Sequence, residues 1–278
     1  RKVEKDFAGD WWFKVWGPDK LASEGIGTQS DWVLGEKAKW HGFGQLASGF
    51  NMLDPIKSTI ITPGLDVNGK FAKTGIPASM LTKFLAEHGV VVEKTGLYSL
   101  VIMFTIGITK GRWNTMLTAL QQFKDDYDRN QPLWRLLPEV CATYPVYERR
   151  GLRDLCQDIH QAYAKGDVAR LTTEMYLSDI RPALRPSDAC ASIAHRETER
   201  VEIDKLEGRV PTALLTPYPP GIPLLIPGEV FNRKIVQYLQ FTREFNAQFP
   251  GFDTDVHGLV EEEGTDGKRR YYVDCVKA

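Results

Sequence analysis

The ionisable residue best placed to do chemistry is Glu93. It follows three consecutive valines, 90–92, which predict a short apolar strand that ends at this carboxylate. Domains that mix helices and strands often present functional groups at the carboxyl end of a strand. A carboxylate there can bind a substrate ammonium group, and exclusion of water would strengthen the pair. The alternative is a strand-end ion pair with the adjacent Lys94, and residue chemistry alone leaves both interpretations open.

Two further features have a functional and a structural interpretation. His41, between Trp40 and Gly42, can donate a hydrogen bond to a substrate, but a histidine among aromatic residues also packs well. The proline-rich run 216–229 can form a pocket wall or act as a structural clamp.

The common catalytic motifs are absent from the sequence. There is no G-x-G-x-x-G or Walker loop, which gives no support to a nucleotide site, and no G-x-S-x-G elbow of a serine hydrolase. The five histidines show neither H-x-x-x-H nor H-E-x-x-H spacing, so no metal site is predicted.

Composition excludes several classes of protein. The 278 residues include 35 Lys and Arg against 36 Asp and Glu, a net charge of −1 that argues against nucleic-acid binding through a basic field. The longest apolar run, 100–104, is too short to span a membrane. The four cysteines are widely spaced, which predicts reduced, mostly buried thiols in a cytoplasmic protein. The opening Arg1 follows no initiator methionine, and we expect a C-terminal fragment.

The pattern of apolar residues predicts a mixed α/β fold. In the first part, strands are expected at 58–62, 90–92 and 99–108, and the last of these is expected to be fully buried. A helix is expected from Pro77 to Gly89, and a long helix is expected after Gly111, with a solvated end at 124–129. These elements predict a mainly antiparallel sheet with helices on one side. The second part is expected to be helical over 131–200, extended and buried over 214–229, helical over 233–248 and a strand over 270–276. The predicted domains are therefore 1–130 and 131–278.

Several blocks in the same order resemble the bacterial Orn/Lys/Arg decarboxylases, large enzymes of fold type I that depend on pyridoxal 5′-phosphate (PLP). The blocks span nearly the whole chain, and they are Trp40–Phe43, Leu53–Lys57, Thr74–Ser79, Glu93–Gly96, Pro217–Pro223, Pro227–Glu229 and Phe249–Phe252.

The resemblance implies different roles for the two predicted domains and for the region upstream of this chain. Residues 1–130 would be the end of the PLP-dependent major region with its small α+β subdomain, and 131–278 the mixed helical and β C-terminal domain. The family's Ser-x-His-Lys motif, which carries the Schiff-base lysine, is absent from this chain, so PLP and the catalytic residues are expected upstream and the chain alone is expected to be inactive. The implied partners are that upstream PLP domain, a basic amino acid and a second copy in a homodimer or a decamer.

The same resemblance favours lysine as the substrate. In the lysine and ornithine enzymes the position of Glu93 is a glutamate proposed to meet the distal ammonium, whereas arginine-specific relatives have Thr-Arg in this stretch. Glu93, Thr95 and His41 are the predicted substrate-binding residues. Ornithine and arginine remain alternatives, because 152–156 resembles ornithine decarboxylases and 108–113 and 275–278 resemble arginine decarboxylases. A non-catalytic module that partners a full-length decarboxylase is the alternative from another class.

We predict that the alarmone ppGpp regulates the full-length protein weakly or not at all. Some lysine decarboxylases bind ppGpp through a Leu-Arg pair just after the long helix, and this chain has Gln131-Pro132 there. Proline provides neither the charge nor the donors that bind phosphate. Calorimetric titration with ppGpp measures this directly, and nanomolar binding would contradict the prediction.

Overall fold

The structure is a computed structural model that describes residues 11–17, 29–35, 41, 43, 46, 47, 49, 51–218, 221–264, 267 and 269–277. The chain divides into two compact units, Arg1–His160 and Gln161–Ala278. The expected domain boundary after residue 130 stays a prediction. Expectations that concern Arg1, Trp40, Gly42, Pro219 and Pro220 lie outside the described residues.

The first unit is built on a four-stranded antiparallel sheet of order β1-β2-β4-β3. Its strands are β1 (Lys14–Val15), β2 (Lys57–Ile61), β3 (Lys94–Thr95) and β4 (Ser99–Met103). Its helices are α1 (Ala78–Glu87), α2 (Lys110–Asp128), α3 (Leu133–Leu136), α4 (Pro138–Thr143) and most of α5 (Leu152–Lys165). The predicted α/β class and antiparallel sheet are confirmed.

One face of this sheet forms the core of the first unit. In the β2–β4 register Ile60 lies opposite Leu100, and both are buried, as is Ile102. Helix α1 contacts β4 and α2, and Phe84 of α1 packs edge-on against Phe123 of α2 with ring centroids 5.2 Å apart. Side chains alternate along a strand, so the residues between the buried ones, such as Thr59 and Val101, point to the other, partly exposed face.

Three local predictions in this unit are wrong. Residues 90–92 form no strand, and Val91 is exposed because the pairing with β4 begins at Lys94 instead. Strand β4 ends at Met103 and is buried on one face only, as expected in an antiparallel sheet. The prediction that the end of α2 is solvated is wrong in part: Asp125, Asp128 and Arg129 are exposed, but Trp12 packs against Tyr127 and covers Lys124, whose ammonium lies 4.8 Å from the Trp12 ring.

The second unit contains two small antiparallel sheets and three complete helices. The strands form sheets of order β5-β9-β8 and β6-β7, with β5 (Thr198–Glu202), β6 (Thr216–Tyr218), β7 (Asp255–His257), β8 (Val260–Glu263) and β9 (Arg269–Val276). The helices are α6 (Val168–Leu177), α7 (Pro186–Ala194) and α8 (Arg233–Gln248). The predicted bounds of α8 are confirmed, and the side chain of Asn232 caps it by accepting from the backbone N–H groups of Lys234 and Ile235.

The described part of the proline-rich run is not helical, as predicted, but it is buried only in part, since Tyr218, Ile222 and Ile226 are 41–52% exposed. Leu215 pairs with Leu225 in an isolated bridge, and both side chains are almost fully buried. Gly228 has φ +93°, and a Cβ there would lie 2.4 Å from the carbonyl oxygen of Leu184. The Pro227–Glu229 block therefore needs glycine because two backbone segments cross at this point.

The thiols agree with the expected reduced state. Cys141, Cys156 and Cys275 are buried and unpaired, whereas Cys190 is exposed. Burial raises the pKa of the Cys156 thiol well above its usual range and that of Cys275 to about 12. The buried thiols are therefore protonated at neutral pH and poorly reactive.

A buried polar cluster, which we call the loop anchor, holds the segment 63–77 against the hairpin that carries β3. It consists of His160, Tyr98 and the carbonyl of Ala72. The His160 Nε2–H donates to the carbonyl oxygen of Ala72 at 2.9 Å, and Nδ1 accepts from the Tyr98 hydroxyl at 2.6 Å. A Cβ on Gly75 would lie 2.3 Å from Nδ1 of His160, so only glycine fits in this part of the Thr74–Ser79 block.

We predict that the two side chains of the loop anchor stabilise the chain cooperatively. His160→Ala removes one hydrogen bond from the Tyr98 hydroxyl and one from the Ala72 carbonyl in a buried site, and it should lower the free energy of unfolding by about 2–4 kcal/mol. Tyr98→Phe should cost about 1–2 kcal/mol. Because the two groups share a bond, the double variant should lose about 1 kcal/mol less than the sum.

Urea denaturation of the four proteins measures this coupling. His257→Ala is the control, since 62% of that histidine's side chain is exposed, and it should change the unfolding free energy by less than about 0.5 kcal/mol. Strict additivity of the two single variants would show that the 2.6 Å bond contributes no coupling.

Candidate functional site

Glu93 lies just before β3, in a short hairpin with β4. Its backbone N–H donates to the carbonyl oxygen of Val101 at 2.9 Å, and the N–H of Gly96 donates to that of Ser99 at 2.7 Å. The expectation that Glu93 ends a strand is therefore wrong, because the sheet pairing of this segment starts after it. The carboxylate nevertheless lies at the end of the sheet and its position is fixed by backbone bonds.

The carboxylate of Glu93 is accessible and only weakly engaged. Its Oε1 lies 3.8 Å from Nζ of Lys57 on β2, with 39% of the Glu93 side chain and 46% of the Lys57 side chain exposed. The ion pair is thus made with Lys57, not with Lys94 as the alternative interpretation expected. An exposed pair of this kind contributes about 0–1 kcal/mol, so the carboxylate can exchange Lys57 for another cation at little cost.

Thr95 connects β3 to helix α1. It pairs with Leu100 in the β3–β4 register, on the buried face of the sheet. Its hydroxyl lies 2.8 Å from that of Thr82 on α1, so one hydroxyl donates to the other. In this structure Thr95 therefore holds the strand that follows Glu93 against the helix.

His41 is buried, and backbone groups occupy both of its ring nitrogens. The N–H of Phe43 donates to Nδ1 at 3.1 Å, so the proton is on Nε2, which donates to the carbonyl oxygen of Gly35 at 3.2 Å. Its ring stacks on Phe43 with centroids 5.6 Å apart. A role in substrate binding stays a prediction, and it would require one of these bonds to be exchanged.

The structure brings two of the three predicted residues together. Glu93 and Thr95 share the hairpin at the end of the sheet, whereas His41 belongs to the separate segment 35–43. These two residues differ in role: Glu93 presents an accessible carboxylate, and Thr95 holds the strand that follows it against α1. This geometry provides a single anionic group for a cationic ligand.

Sequence reasoning missed two features beside this hairpin. The first is the loop anchor, since His160 is separated from Tyr98 by 62 positions along the chain and no spacing rule connects them. The second is a cavity of about 480 Å³ between the end of β4 and the start of α2. Trp113 of α2 lines this cavity and is 36% exposed. The sequence signal for this cavity was an apolar residue, Trp113, in the first turn of α2.

Among the described residues, a metal ion would need a cluster of ligands and PLP would need a buried lysine. No cluster of three or more His, Cys, Asp or Glu side chains suited to a metal ion occurs among them. The buried lysine of the described part is Lys124, whose ammonium donates to Asp128 at 2.7 Å and lies over Trp12, so it does not fit a Schiff-base lysine. In the same part of the chain, no helix has the length and apolar character needed to cross a membrane.

Comparison with known proteins places these features in one family. Residues 1–112 match the Orn/Lys/Arg decarboxylase major domain, and residues 169–277 match the Orn/Lys/Arg decarboxylase C-terminal domain. The chain is 48% identical over 273 residues to lysine decarboxylase LdcA of Pseudomonas aeruginosa, covering 96% of this chain and 36% of LdcA. It is 37% identical to the inducible lysine decarboxylase of Escherichia coli K12, covering 96% of this chain and 37% of that protein.

A solved structure shows the same similarity in three dimensions. Lysine decarboxylase A from Pseudomonas aeruginosa superposes with a TM-score of 0.91 at 46% identity, over 99% of this chain and 37% of the other. The chain thus spans little more than a third of the length of these relatives. Two matched domain models of one family, in order, and a superposition over nearly all residues show that the chain belongs to the Orn/Lys/Arg decarboxylases.

Proposed function

We propose that this chain is the substrate-recognising, C-terminal part of a PLP-dependent decarboxylase that converts L-lysine to cadaverine and CO₂. The observation that carries the proposal is the accessible carboxylate of Glu93, which the β3–β4 hairpin positions and which, among the described residues, pairs with Lys57 at 3.8 Å. The 48% and 37% identical relatives named above are lysine decarboxylases, which supports lysine over ornithine and arginine.

Glu93 would bind the distal ammonium group of the substrate. In water such a pair is weak, but it strengthens several-fold when the site is closed and the local dielectric falls. The remainder of the protein would have to provide that closure, since the carboxylate is open to solvent here.

PLP would be bound outside this chain. The cofactor provides the electron sink for loss of the carboxylate, and the protein provides orientation and electrostatics. Because Lys124 does not fit the Schiff-base role, no catalytic step is assigned to this chain. The chain by itself should therefore be inactive, and its function depends on the upstream PLP domain. A cytoplasmic homodimer, assembled further into a decamer, is the assembly that we propose for the whole enzyme.

We predict that Glu93 determines substrate preference in a hybrid enzyme, in which this chain replaces the matched part of LdcA. The hybrid should prefer lysine to ornithine and arginine. Glu93→Ala should lower kcat/KM for lysine about a hundredfold, since a charge-assisted bond contributes about 1.5–3 kcal/mol. Steady-state decarboxylation of the three amino acids with PLP-loaded enzyme measures both effects.

Glu87→Ala is the matched control, because Glu87 is an exposed carboxylate on the neighbouring helix α1, and its kinetics should equal those of the parent. A preference for arginine, or a Glu93→Ala variant that keeps the parent's selectivity, would contradict the proposed role. Activity of the 278-residue chain alone would contradict the placement of PLP elsewhere.

A further inference from the structure

Lys57 ends the Leu53–Lys57 block, and a turn fixes its backbone at the point where the chain enters β2. The side chain of Asp54 accepts from the N–H of Ile56 at 3.1 Å, and the carbonyl oxygen of Asp54 accepts from the N–H of Lys57 at 3.2 Å. The β2–β4 register then sets Lys57 opposite Met103, on the partly exposed face of the sheet. The backbone of Lys57 is therefore fixed, whereas its long side chain, 46% exposed, can move.

The contact between Lys57 and Glu93 is one that a second cation can break. Nζ lies 3.8 Å from Oε1, beyond the roughly 2.7–2.9 Å of a charge-assisted hydrogen bond, and both side chains are more than a third exposed. By contrast, Lys124 and Asp128 of the same unit form a pair at 2.7 Å in which 10% of the lysine side chain is exposed. The attraction of Lys57 to Glu93 is thus a solvated, electrostatic one, which is weak.

The side chain of Lys57 has the same chemistry as the side chain of the proposed substrate. Each ends in a compact ammonium group on a flexible four-carbon stem, and each can pair with the carboxylate of Glu93. Two ammonium groups at one carboxylate repel each other, and the repulsion grows as the site closes and the local dielectric falls. Binding of the substrate ammonium therefore requires Lys57 to leave Glu93.

We infer that Lys57 is a built-in competitor for the distal-ammonium site: it occupies Glu93 in the empty enzyme, the substrate displaces it, and it thereby sets the lysine concentration at which the site fills. This inference rests on the proposed function and concerns the regulation of the same site. A site that is open for only a fraction of the time binds its ligand more weakly by that fraction. Since an exposed ion pair is weak, Lys57 should raise the KM for lysine by up to about fivefold.

The opposite interpretation is that Lys57 orients the carboxylate of Glu93 for the substrate. The geometry favours competition, because a 3.8 Å contact restricts the orientation of a carboxylate little. The backbone of Glu93 is fixed by its own hydrogen bond to the carbonyl oxygen of Val101 at 2.9 Å and needs no help from Lys57. The two interpretations predict opposite changes in KM when the charge of Lys57 is removed.

Substitutions of Lys57 in the PLP-loaded hybrid enzyme test the sign of this change. Lys57→Gln removes the competing charge, and it should lower KM for lysine about three- to fivefold with kcat unchanged. Lys57→Arg keeps the charge and can donate two parallel hydrogen bonds to Glu93, so KM should rise about threefold. A Lys57→Gln enzyme whose KM is unchanged or higher would overturn the inference.

Two further variants separate competition at Glu93 from a general effect of charge. Lys94→Gln is the matched control, because Lys94 is an exposed lysine next to Glu93 in the chain, and the ion pair is made by Lys57 instead. It removes the same charge and should change KM less than about 1.5-fold. In the Glu93→Ala background, Lys57→Gln should no longer raise kcat/KM, since the two residues act as a unit. A gain that persists in that background would contradict the competition.

Norleucine, which has the carbon chain of lysine without the distal ammonium, provides a control for the shape of the site. It brings no cation to displace Lys57, so its inhibition constant against lysine should be equal in the parent and in Lys57→Gln. If norleucine and lysine both bind more tightly to Lys57→Gln by the same factor, the substitution has merely opened the site, and the inference fails.

Calorimetric titration with cadaverine tests the competition without catalysis. Cadaverine carries a distal ammonium and has no carboxylate to lose, and its Kd should fall about three- to fivefold in Lys57→Gln and stay unchanged in Lys94→Gln. The outcomes for the proposed function are separate. An inactive hybrid in which Lys57→Gln tightens cadaverine binding overturns lysine decarboxylation alone, and an active hybrid with unchanged cadaverine affinity overturns the competition alone.

Discussion

The antiparallel pairing of β2 with β4 is the constraint on which the first unit depends. It aligns Ile60 with Leu100 and places both, with Ile102, under α1 and α2. Since side chains alternate across a strand, the same register directs Lys57 and Met103 to the open side. A shift by one residue would bury the lysine and expose the core, so the position of the cation beside Glu93 follows from the packing of apolar residues on β2 and β4.

Buried polar contacts, in addition to the apolar face of the sheet, hold the β3–β4 hairpin in position. The loop anchor ties segment 63–77 to Tyr98 in the hairpin between β3 and β4, and the Thr82–Thr95 contact ties β3 to α1. Buried groups of this kind are costly when they lose a partner, so they hold the hairpin in one arrangement. Glu93 itself takes no part in these contacts and keeps an accessible carboxylate. Thr95 and Tyr98 thus hold the hairpin in place, and the neighbouring Glu93 provides the accessible carboxylate.

The family domain models and the described structure assign different parts to the two units. The first carries the major-domain match and the candidate site, whereas the second carries the C-terminal-domain match and two small sheets around a core that includes Ile235 and Leu239. In the Pro227–Glu229 block of the second unit, a backbone crossing at Gly228 explains the need for glycine. Chemistry on the substrate is accordingly proposed for the first unit only.

Local sequence signals were sufficient for the class of fold, the helix 233–248 and the family. Helix caps, prolines and apolar periodicity act between near neighbours, and so they can be recognised along the chain. The three valines before Glu93 were misinterpreted because β-propensity does not specify which residue meets a partner strand. Tertiary structure alone decided that Glu93 pairs with Lys57, that Trp12 covers Lys124 and that His160 reaches Tyr98, since each contact joins residues far apart in the sequence.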